Sequence, residues 1–421
     1  MKEKISWCNK PTMLNPKTIR ADFPLYTEHP HIVYLDSSAT ALKPKAVLDA
    51  LDGYYRIYSA NVFRGLYGLS ERATAEYERS RDVVAHFIGA QSSDTVIFTR
   101  NATESLNLLA YSLGNRIIQK GKRVVVSMAE HHANFVPWQQ IAMKHGAEFV
   151  VVPCDSDGKV ELHDDASIDK IVTKDTVLVA LFWVSNVLGS VNDIAAITKK
   201  IKQKNPNTLV VVDAAQAVTT FPVHVTELGC DFLAFSGHKL FGPTGIGVLW
   251  GKKELLEDME PFMYGGDMIE RVSVTESTFA QLPHRFEAGT PHIAGAIGLA
   301  AAIEYIAGVG VHNAHQHTQK MIKHALTGLA RFKHIRILGS SDPTKRVGLV
   351  SFVHDRIHPH DLGDILSKDD VCVRAGHHCA MPLHTHEGIA ASTRASTSIY
   401  TTTDDIERLL AGIKKAEQIL L

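Results

Sequence analysis

The sequence predicts an α/β protein: a large domain with a mainly parallel, doubly wound sheet flanked by helices, followed by a smaller α+β domain. Apolar runs alternate with amphipathic segments over most of the chain, and near Gly308 this pattern changes to helices mixed with short strands. The 421 residues also exceed the roughly 250 to 300 residues that one hydrophobic core fills. We therefore expect an N-terminal arm at 1–19, a large domain at 20–307 whose first residues pack with the small domain, and a small C-terminal domain at 308–421.

The strands of the large domain are predicted from apolar runs with little polar alternation, which are typical of strands covered by helices on both faces. Such runs occupy residues 95–99, 123–128, 148–153, 176–185, 208–215 and 232–237.

The helices are predicted from amphipathic segments between these strands. One segment is opened by Asn134 and closed by Gly146, and another covers residues 193–205. The most apolar run, 293–303, falls short of the ~18 residues of a membrane-spanning helix and is interpreted as a buried helix. The small domain contains a predicted strand within 346–354 and a last helix with apolar residues at helical spacing: Ile406, Leu409, Leu410 and Ile413.

Charge and cysteine content exclude several function classes. Lys plus Arg (44) nearly balances Asp plus Glu (45), so no overall field attracts nucleic acid or an acidic membrane. The N-terminus lacks the apolar core of a signal peptide. The cysteines are odd in number and form no C-x-x-C pair, so neither a disulfide framework nor a zinc knuckle is indicated. This pattern is typical of a protein of the reducing cytoplasm. The cysteines are Cys8, Cys154, Cys230, Cys372 and Cys379.

Chemically versatile residues follow the predicted strands. Asp213 follows the mainly apolar residues 208–212, Lys239 follows the run at 232–237, and a helix start after residue 99 offers amide donors for a phosphate. In doubly wound sheets, ligands bind beyond the carboxyl ends of the strands. A lysine amine, a carboxylate and a phosphate site are what pyridoxal phosphate requires. Singly, the aspartate could cap a helix and the lysine could be solvated, but their order and spacing favour the cofactor.

Several motifs carry a family resemblance. They are "VVVDAAQAV", "CDFLAFSGHKLFGPTGIGVLW", "AEHHANFVPWQ", "VSNVLGS", "RFEAGTP" and "RAGHHCAMPL". With these motifs the chain resembles the class V aminotransferase-like, fold-type I pyridoxal-phosphate enzymes, and within them a group II cysteine desulfurase of the SufS type. The resemblance extends from "RADFPLY" (20–26) to the final helix.

The resemblance assigns cofactor roles to motif residues. Lys239 would form the Schiff base and move protons, Asp213 would pair with the pyridinium nitrogen, and Gln216 would bind the ring's phenolic oxygen. His131 would stack on the ring as an acid/base group, a role suited to an unperturbed pKa of ~6.5, while His132 is interpreted as structural. The residues expected at the phosphate are Ala102, Thr103, Ser236 and His238, with Thr290 reaching across from a second subunit of a homodimer.

Substrate and nucleophile are also implied by the resemblance. Asn186 and Arg394 would bind the amino-acid carboxylate, with help from Arg374. Cys379 would attack the sulfur of L-cysteine, leaving an enzyme persulfide and L-alanine. His378, Arg374 and the cationic cofactor would favour its thiolate.

One motif departs from the family pattern. In "NVFRGLYGLSERAT" the family usually has histidines where this chain has Phe63 and Tyr67. Near the cofactor entrance, this change would alter substrate access or partner contact.

Two other functions stay open at this point. A selenocysteine lyase would share the fold and the lysine. With 23 histidines and the cluster "HDRIHPHD", the chain could also be a metal-binding or sulfur-trafficking scaffold.

The resemblance further implies a sulfur acceptor for iron-sulfur cluster assembly. Such acceptors are metal-free SufE-like proteins or zinc-bound SufU-like proteins. Enzymes paired with the zinc type carry a histidine where His360 stands, and it would serve as a transient zinc ligand in the complex; no resident metal is predicted. The alternative is that His360 caps a helix beginning near Asp361.

Overall fold

The structure, a computed structural model, describes residues 14–421. The strands in this range are β1 (Val33–Tyr34), β2 (Val96–Thr99), β3 (Arg123–Ser127), β4 (Glu148–Val152), β5 (Thr176–Phe182), β6 (Leu209–Asp213), β7 (Phe232–Ser236), β8 (Gly247–Gly251), β9 (Ile269–Val272), β10 (Ser277–Phe279), β11 (Ile335–Ile337), β12 (Leu349–His354), β13 (Val371–Cys372), β14 (Arg374–Gly376) and β15 (Ser392–Ser396).

Helices alternate with strands along most of the chain. They are α1 (Pro16–Arg20), α2 (Leu25–Glu28), α3 (Lys45–Ile57), α4 (Gly68–Phe87), α5 (Ala102–Leu108), α6 (Asn115–Ile117), α7 (Val136–His145), α8 (Asp165–Ile171), α9 (Ile194–Lys204), α10 (Val225–Leu228), α11 (Lys253–Glu257), α12 (Ile293–Val309), α13 (Val311–Leu329), α14 (Pro359–Lys368), α15 (Met381–His386) and α16 (Thr403–Leu420).

The central sheet has seven strands in the order β2-β8-β7-β6-β5-β3-β4. The six strands predicted in the large domain are all confirmed, as β2 to β7. Strand β8 was not predicted; it pairs antiparallel with both β2 and β7, while the other neighbours pair in parallel. The predicted α/β class with a mainly parallel sheet is therefore confirmed.

Burial on both faces explains why the strands lack polar alternation. Along β6, Val210 and Val212 pack in one apolar cluster, whereas Val211 packs in a second cluster on the opposite face. Both faces are closed by helices, so every position of such a strand needs an apolar side chain. Sequence patterns of this kind are consequently strong predictors of the sheet.

Helix boundaries follow local chemistry. Helix α9 begins after Asp193, whose carboxylate accepts from the Ala196 amide. Helix α7 begins at Val136 rather than at the predicted Asn134, because residues 132–134 form a 3₁₀ turn. It ends at Gly146, which adopts a left-handed φ of 65°, as the sequence predicted.

Helix α12 is the buried helix predicted from the apolar run at 293–303. Within residues 14–421, no single helix is long and apolar enough to cross a membrane. Helices α12 and α13 pass that test only as a pair bent by 75°.

The C-terminal part forms a four-stranded sheet in the order β11-β12-β15-β14, covered by α13, α14 and α16. Strand β1 pairs in parallel with β13 of the C-terminal part, and the predicted division into domains stays a prediction. Arg20 of α1 donates to the Tyr400 carbonyl at 2.8 Å and pairs with Asp405. Of the predicted arm at 1–19, residues 1–13 with Cys8 lie outside the described residues.

Candidate active site

Polar side chains converge on a cavity of about 320 Å³ at the carboxyl edge of the central sheet. Loops after several strands meet there, which explains how residues far apart in sequence come together. The cavity is lined by Ser38, Ala39, Asn101, Ala102, Thr103, His131, Ala133, Asn186, Asp213, Ala215, Gln216, Ser236, His238, Lys239, Arg374, His378, Cys379 and Arg394. The structure thus brings together all the predicted cofactor and substrate residues except Thr290.

Lys239 and Asp213 interact electrostatically inside the cavity. Desolvation lowers the pKa of Lys239 despite the nearby Asp213 carboxylate. Burial raises the pKa of Asp213, while the Lys239 charge and a hydrogen bond from the Ala215 amide (2.9 Å) oppose that rise. A lysine with a lowered pKa has more of the neutral amine that can act as a nucleophile.

The predicted phosphate end lies where α5 begins. The Ala102 amide donates to the Ser236 hydroxyl at 2.9 Å, so the start of α5 is joined to the end of β7. Gly247 permits this approach, because a Cβ atom there would lie 2.4 Å from the Asn101 Cα. Amide and hydroxyl donors at a helix start suit an anion such as a phosphate.

His131 is a neutral side chain in this pocket. Burial, with a further contribution from the Lys239 charge, lowers the pKa of His131 to about 3. The Nδ1 atom accepts from the Ala133 amide at 3.1 Å, so the neutral ring carries its proton on Nε2. The pocket therefore moves His131 away from the near-neutral pKa on which its acid/base role was argued, and that role stays a prediction.

Two arginines bring positive charge to the substrate end. Arg374 binds both carboxylate oxygens of Asp36, at 3.1 and 2.8 Å. Arg394 donates to the Asn186 carbonyl at 2.9 Å, and its Nε atom is buried without a partner among the described residues. Burial lowers the pKa of Arg394 to about 10, so it remains charged. A charged guanidinium with a spare buried donor suits a carboxylate ligand.

Cys379 is exposed at the mouth of the cavity, in a loop of unusual backbone geometry. His378 and Cys379 have left-handed φ angles of 50° and 57°, which are uncommon for residues other than glycine. The Asn186 side-chain amide donates to the His378 carbonyl at 2.6 Å, so this predicted carboxylate ligand also contacts the loop.

The expectation that the charge of His378 favours the Cys379 thiolate is wrong. Burial lowers the pKa of His378 to about 2, and its Nε2 atom lies 3.0 Å from the Ser392 hydroxyl. A neutral imidazole offers no positive charge to the sulfur. The positive charge near the sulfur comes instead from Arg374 and Arg394, which both interact electrostatically with Cys379.

Four other residues singled out in the sequence lie outside the cavity lining. Thr290 is exposed, and its predicted role belongs to a second subunit. Phe63 packs on His284, with ring centroids 4.9 Å apart, and Tyr67 is exposed; within this chain neither borders the cofactor cavity. The capping interpretation of His360 is wrong, because α14 begins at Pro359 and the His358 side chain accepts from the His360 amide.

Sequence reasoning missed two acidic residues and the contacts of a third residue. Asp36 holds Arg374, and its position directly after an apolar pair in "VYLDSS" was the available signal. Glu130 is fully buried beside the histidine motif. His132, interpreted only as structural, contacts the Cys379 loop directly.

The chain matches the class-V aminotransferase family over residues 33–409. It belongs to that family. The family contains pyridoxal-phosphate enzymes, and the cavity supplies the buried lysine, the carboxylate and the helix-start donors that the cofactor needs. The predicted cofactor and architecture are confirmed.

Class-V relatives share nearly the full length of the chain. A probable cysteine desulfurase from Streptomyces coelicolor is 44% identical, covering 96% of this chain and 97% of the relative. A cysteine desulfurase from Haloferax volcanii is 42% identical over 95% of this chain and 96% of its own. The apo cysteine desulfurase from Thermococcus onnurineus NA1 superposes with a TM-score of 0.91 at 40% identity, covering 98% of this chain and 99% of the other. The predicted resemblance to cysteine desulfurases, and with it the prediction of an enzyme, is confirmed.

Proposed function

We propose that this protein converts L-cysteine to L-alanine and passes the sulfur, as a persulfide on Cys379, to an acceptor protein for iron-sulfur cluster assembly. The observation that supports this reaction best is the exposed Cys379 thiol on the lining of the cavity that also holds Lys239, Asp213 and Arg394. We further propose a cytoplasmic location, in agreement with the scattered cysteines.

Pyridoxal phosphate, when bound, withdraws electrons from the substrate's α carbon. Lys239 would hold the cofactor and carry protons, and Asp213 would keep the ring nitrogen protonated. Arg394 would orient the substrate through its carboxylate, and the substrate sulfur would then lie toward Cys379 on the same cavity lining.

Sulfur transfer is then a reaction between two sulfur atoms. The Cys379 thiolate forms an S–S bond with the substrate sulfur while the substrate's C–S bond breaks. The electron pair stays with the carbon fragment, which is protonated to alanine. The persulfide leaves by exchange with a thiolate of the acceptor. Because Cys379 is exposed, an acceptor can reach it without a change in the fold.

The first test compares Cys379→Ser with Lys239→Ala. We expect Cys379→Ser to bind the cofactor and to show its spectral change when cysteine is added. The variant should release no alanine, because it lacks only the Cys379 sulfur that takes up the substrate sulfur. Lys239→Ala should lose both the spectral band and turnover while remaining folded, since its role is covalent. Mass spectrometry of the wild type after cysteine treatment should find the extra sulfur on Cys379. Its appearance on Cys372 would contradict the proposal, and parallel assays with selenocysteine would identify a lyase.

We also propose a zinc-bound SufU-like protein as the sulfur acceptor. His360 is exposed at the start of α14, and α14 packs against β14, the strand that leads into the Cys379 loop. An imidazole in this position can exchange with a thiolate ligand on zinc. Within residues 14–421, no three or more metal-binding side chains gather into a site, so the histidine-rich scaffold has no support there.

The acceptor proposal is tested with matched histidine variants. We expect His360→Ala to keep basal turnover and to lose stimulation by a purified SufU-like protein. His358→Asn is the control, because asparagine preserves the helix cap while removing the neighbouring ring. Stimulation of His360→Ala equal to that of the wild type would show that this histidine has no part in the transfer.

A further inference from the structure

His132 contacts the segment His377–Met381, here called the cysteine loop, through both its backbone and its ring. The His132 amide donates to the Cys379 carbonyl at 2.7 Å. The His132 Nε2 atom accepts from the Met381 amide at 3.1 Å. One of these hydrogen bonds is made to Cys379, the proposed nucleophile, and the other to Met381, two residues further along the chain.

The His132 ring also packs on the loop from the other side of the nucleophile. Its centroid lies 5.5 Å from that of His377. The His377 Nδ1 atom in turn accepts from the Cys379 amide at 3.1 Å. Cys379 is thus held at its amide through His377 and at its carbonyl by His132.

The cysteine loop needs such contacts because its backbone is strained. His378 and Cys379 are consecutive residues with left-handed φ angles, and conformations of this kind persist only where surrounding structure holds them. Apart from His132, the loop is held from the large domain by the Asn186 amide on the His378 carbonyl. Removing the ring acceptor would leave the Met381 amide without its partner at the end of the strained segment.

His132 is itself held rigidly. Two residues earlier, Glu130 accepts from the Ser127 hydroxyl at 2.6 Å, from the Asn134 side chain at 2.7 Å and from the Phe182 amide at 2.9 Å. These bonds tie the turn that carries His132 to β3 and to the end of β5. The turn is therefore a fixed platform, against which a surface loop can be positioned.

We propose that His132 is a positioning residue for the nucleophile: its Nε2 acceptor holds the cysteine loop in the conformation in which the Cys379 sulfur faces the cavity. The proposal rests on the proposed sulfur transfer to Cys379. It assigns to the second histidine of the motif a role distinct from that of His131, which lines the cofactor cavity. To accept this hydrogen bond at Nε2, the His132 ring must be neutral and carry its proton on Nδ1.

The test uses holoenzyme carrying His132→Leu, His132→Ala or His132→Gln. Glutamine can present an oxygen acceptor at a similar reach, whereas leucine and alanine cannot. In the two apolar variants we expect persulfide formation on Cys379 in a single turnover to slow by about tenfold, the factor for one lost hydrogen bond. The Gln variant should stay within about threefold of wild type. Hydrogen exchange at the Met381 amide should rise in the apolar variants and stay low in the Gln variant.

The spectral change of the bound cofactor on adding cysteine should be normal in all three variants, because it precedes the step that uses Cys379. His145→Leu is the matched control: this histidine bonds Asn115 at 2.9 Å on α7 and does not touch the cysteine loop. It should behave as wild type.

Persulfide formation at the wild-type rate in the apolar variants would overturn the proposal. An equal loss in the Gln and apolar variants would overturn it as well, and so would loss of cofactor from both apolar variants, since a loop contact leaves the cofactor's own contacts intact. Failure of the underlying function is distinguishable, because the wild type itself would then form no persulfide on Cys379.

Discussion

Glu130 shows how a single buried residue supports the candidate site without entering it. Its carboxyl group is fully buried and accepts three hydrogen bonds, which fix the turn carrying His131 and His132. Burial raises the pKa of Glu130 from 4.5 to about 8. Between these values the folded protein binds more protons at this residue than the unfolded chain does, so stability falls as pH rises through this range.

We therefore expect Glu130→Gln to flatten this part of the pH profile. The wild type should lose stability from about pH 5 to about pH 8 relative to the variant, since glutamine cannot ionise. Urea unfolding midpoints at several pH values measure the difference. Glu254→Gln, an exposed residue on α11, is the control and should follow the wild type. Parallel profiles for Glu130→Gln and wild type would contradict the prediction.

At the scale of elements, a buried ion pair joins α4 to the segment before Thr290. Arg81 is 1% exposed and binds both oxygens of Glu287, at 2.6 and 2.9 Å. Glu287 also accepts from the Tyr77 hydroxyl at 2.8 Å and from the Phe98 amide at 2.7 Å. The "RFEAGTP" segment is thus anchored to both α4 and β2, which sets where Thr290 emerges at the surface.

Arg81→Met should destabilise the fold by about 3 to 5 kcal/mol, because it leaves the Glu287 carboxylate buried without its cation. Denaturant unfolding measures the loss. Arg79→Met is a matched control from the same helix: its partner Glu304 and Arg79 itself are exposed, so the expected cost is about 1 kcal/mol or less. Similar losses of unfolding free energy in the two variants would show that burial of the Arg81–Glu287 pair does not increase its contribution to stability.

At the scale of the whole molecule, we propose that a second subunit supplies Thr290 to the candidate site. Thr290 is absent from the cavity lining of its own chain. Large apolar side chains are exposed on neighbouring parts of the same chain, including Leu66 (96%) and Tyr264 (67%). Exposed apolar surface of this kind is typical of subunit interfaces. We propose a two-fold homodimer, which would cover this apolar surface. Each subunit would then supply Thr290 to the site of the other.

Mixed dimers test the exchange. Lys239→Ala and Thr290→Glu chains should each be inactive alone, the second because its carboxylate repels the cofactor phosphate. If Thr290 crosses the interface, a mixed dimer has one intact site and should recover about half of the wild-type rate. Light scattering confirms the dimer, and differential tags isolate the mixed species. An inactive mixed dimer would place Thr290 in the site of its own chain.

The sequence by itself determined the parallel strands and most of the candidate site. Both faces of each strand are buried, so the apolar runs appear directly in the sequence, and the motif residues follow the strands at their carboxyl ends. Lys239 and Asp213 could therefore be named from order and spacing, whereas the role of Cys379 was implied by the family resemblance.

Only the tertiary structure decided the charge states of the site histidines and the contacts that hold Arg374 and the cysteine loop in place. The neutral state of His378 and the low pKa of His131 come from burial, which depends on neighbours distant in sequence. The contact of Asp36 with Arg374 joins residues 338 positions apart, and the hold of His132 on the cysteine loop joins residues 249 positions apart. Local patterns carry no information about such pairs, because the fold alone brings the two partners within hydrogen-bonding distance.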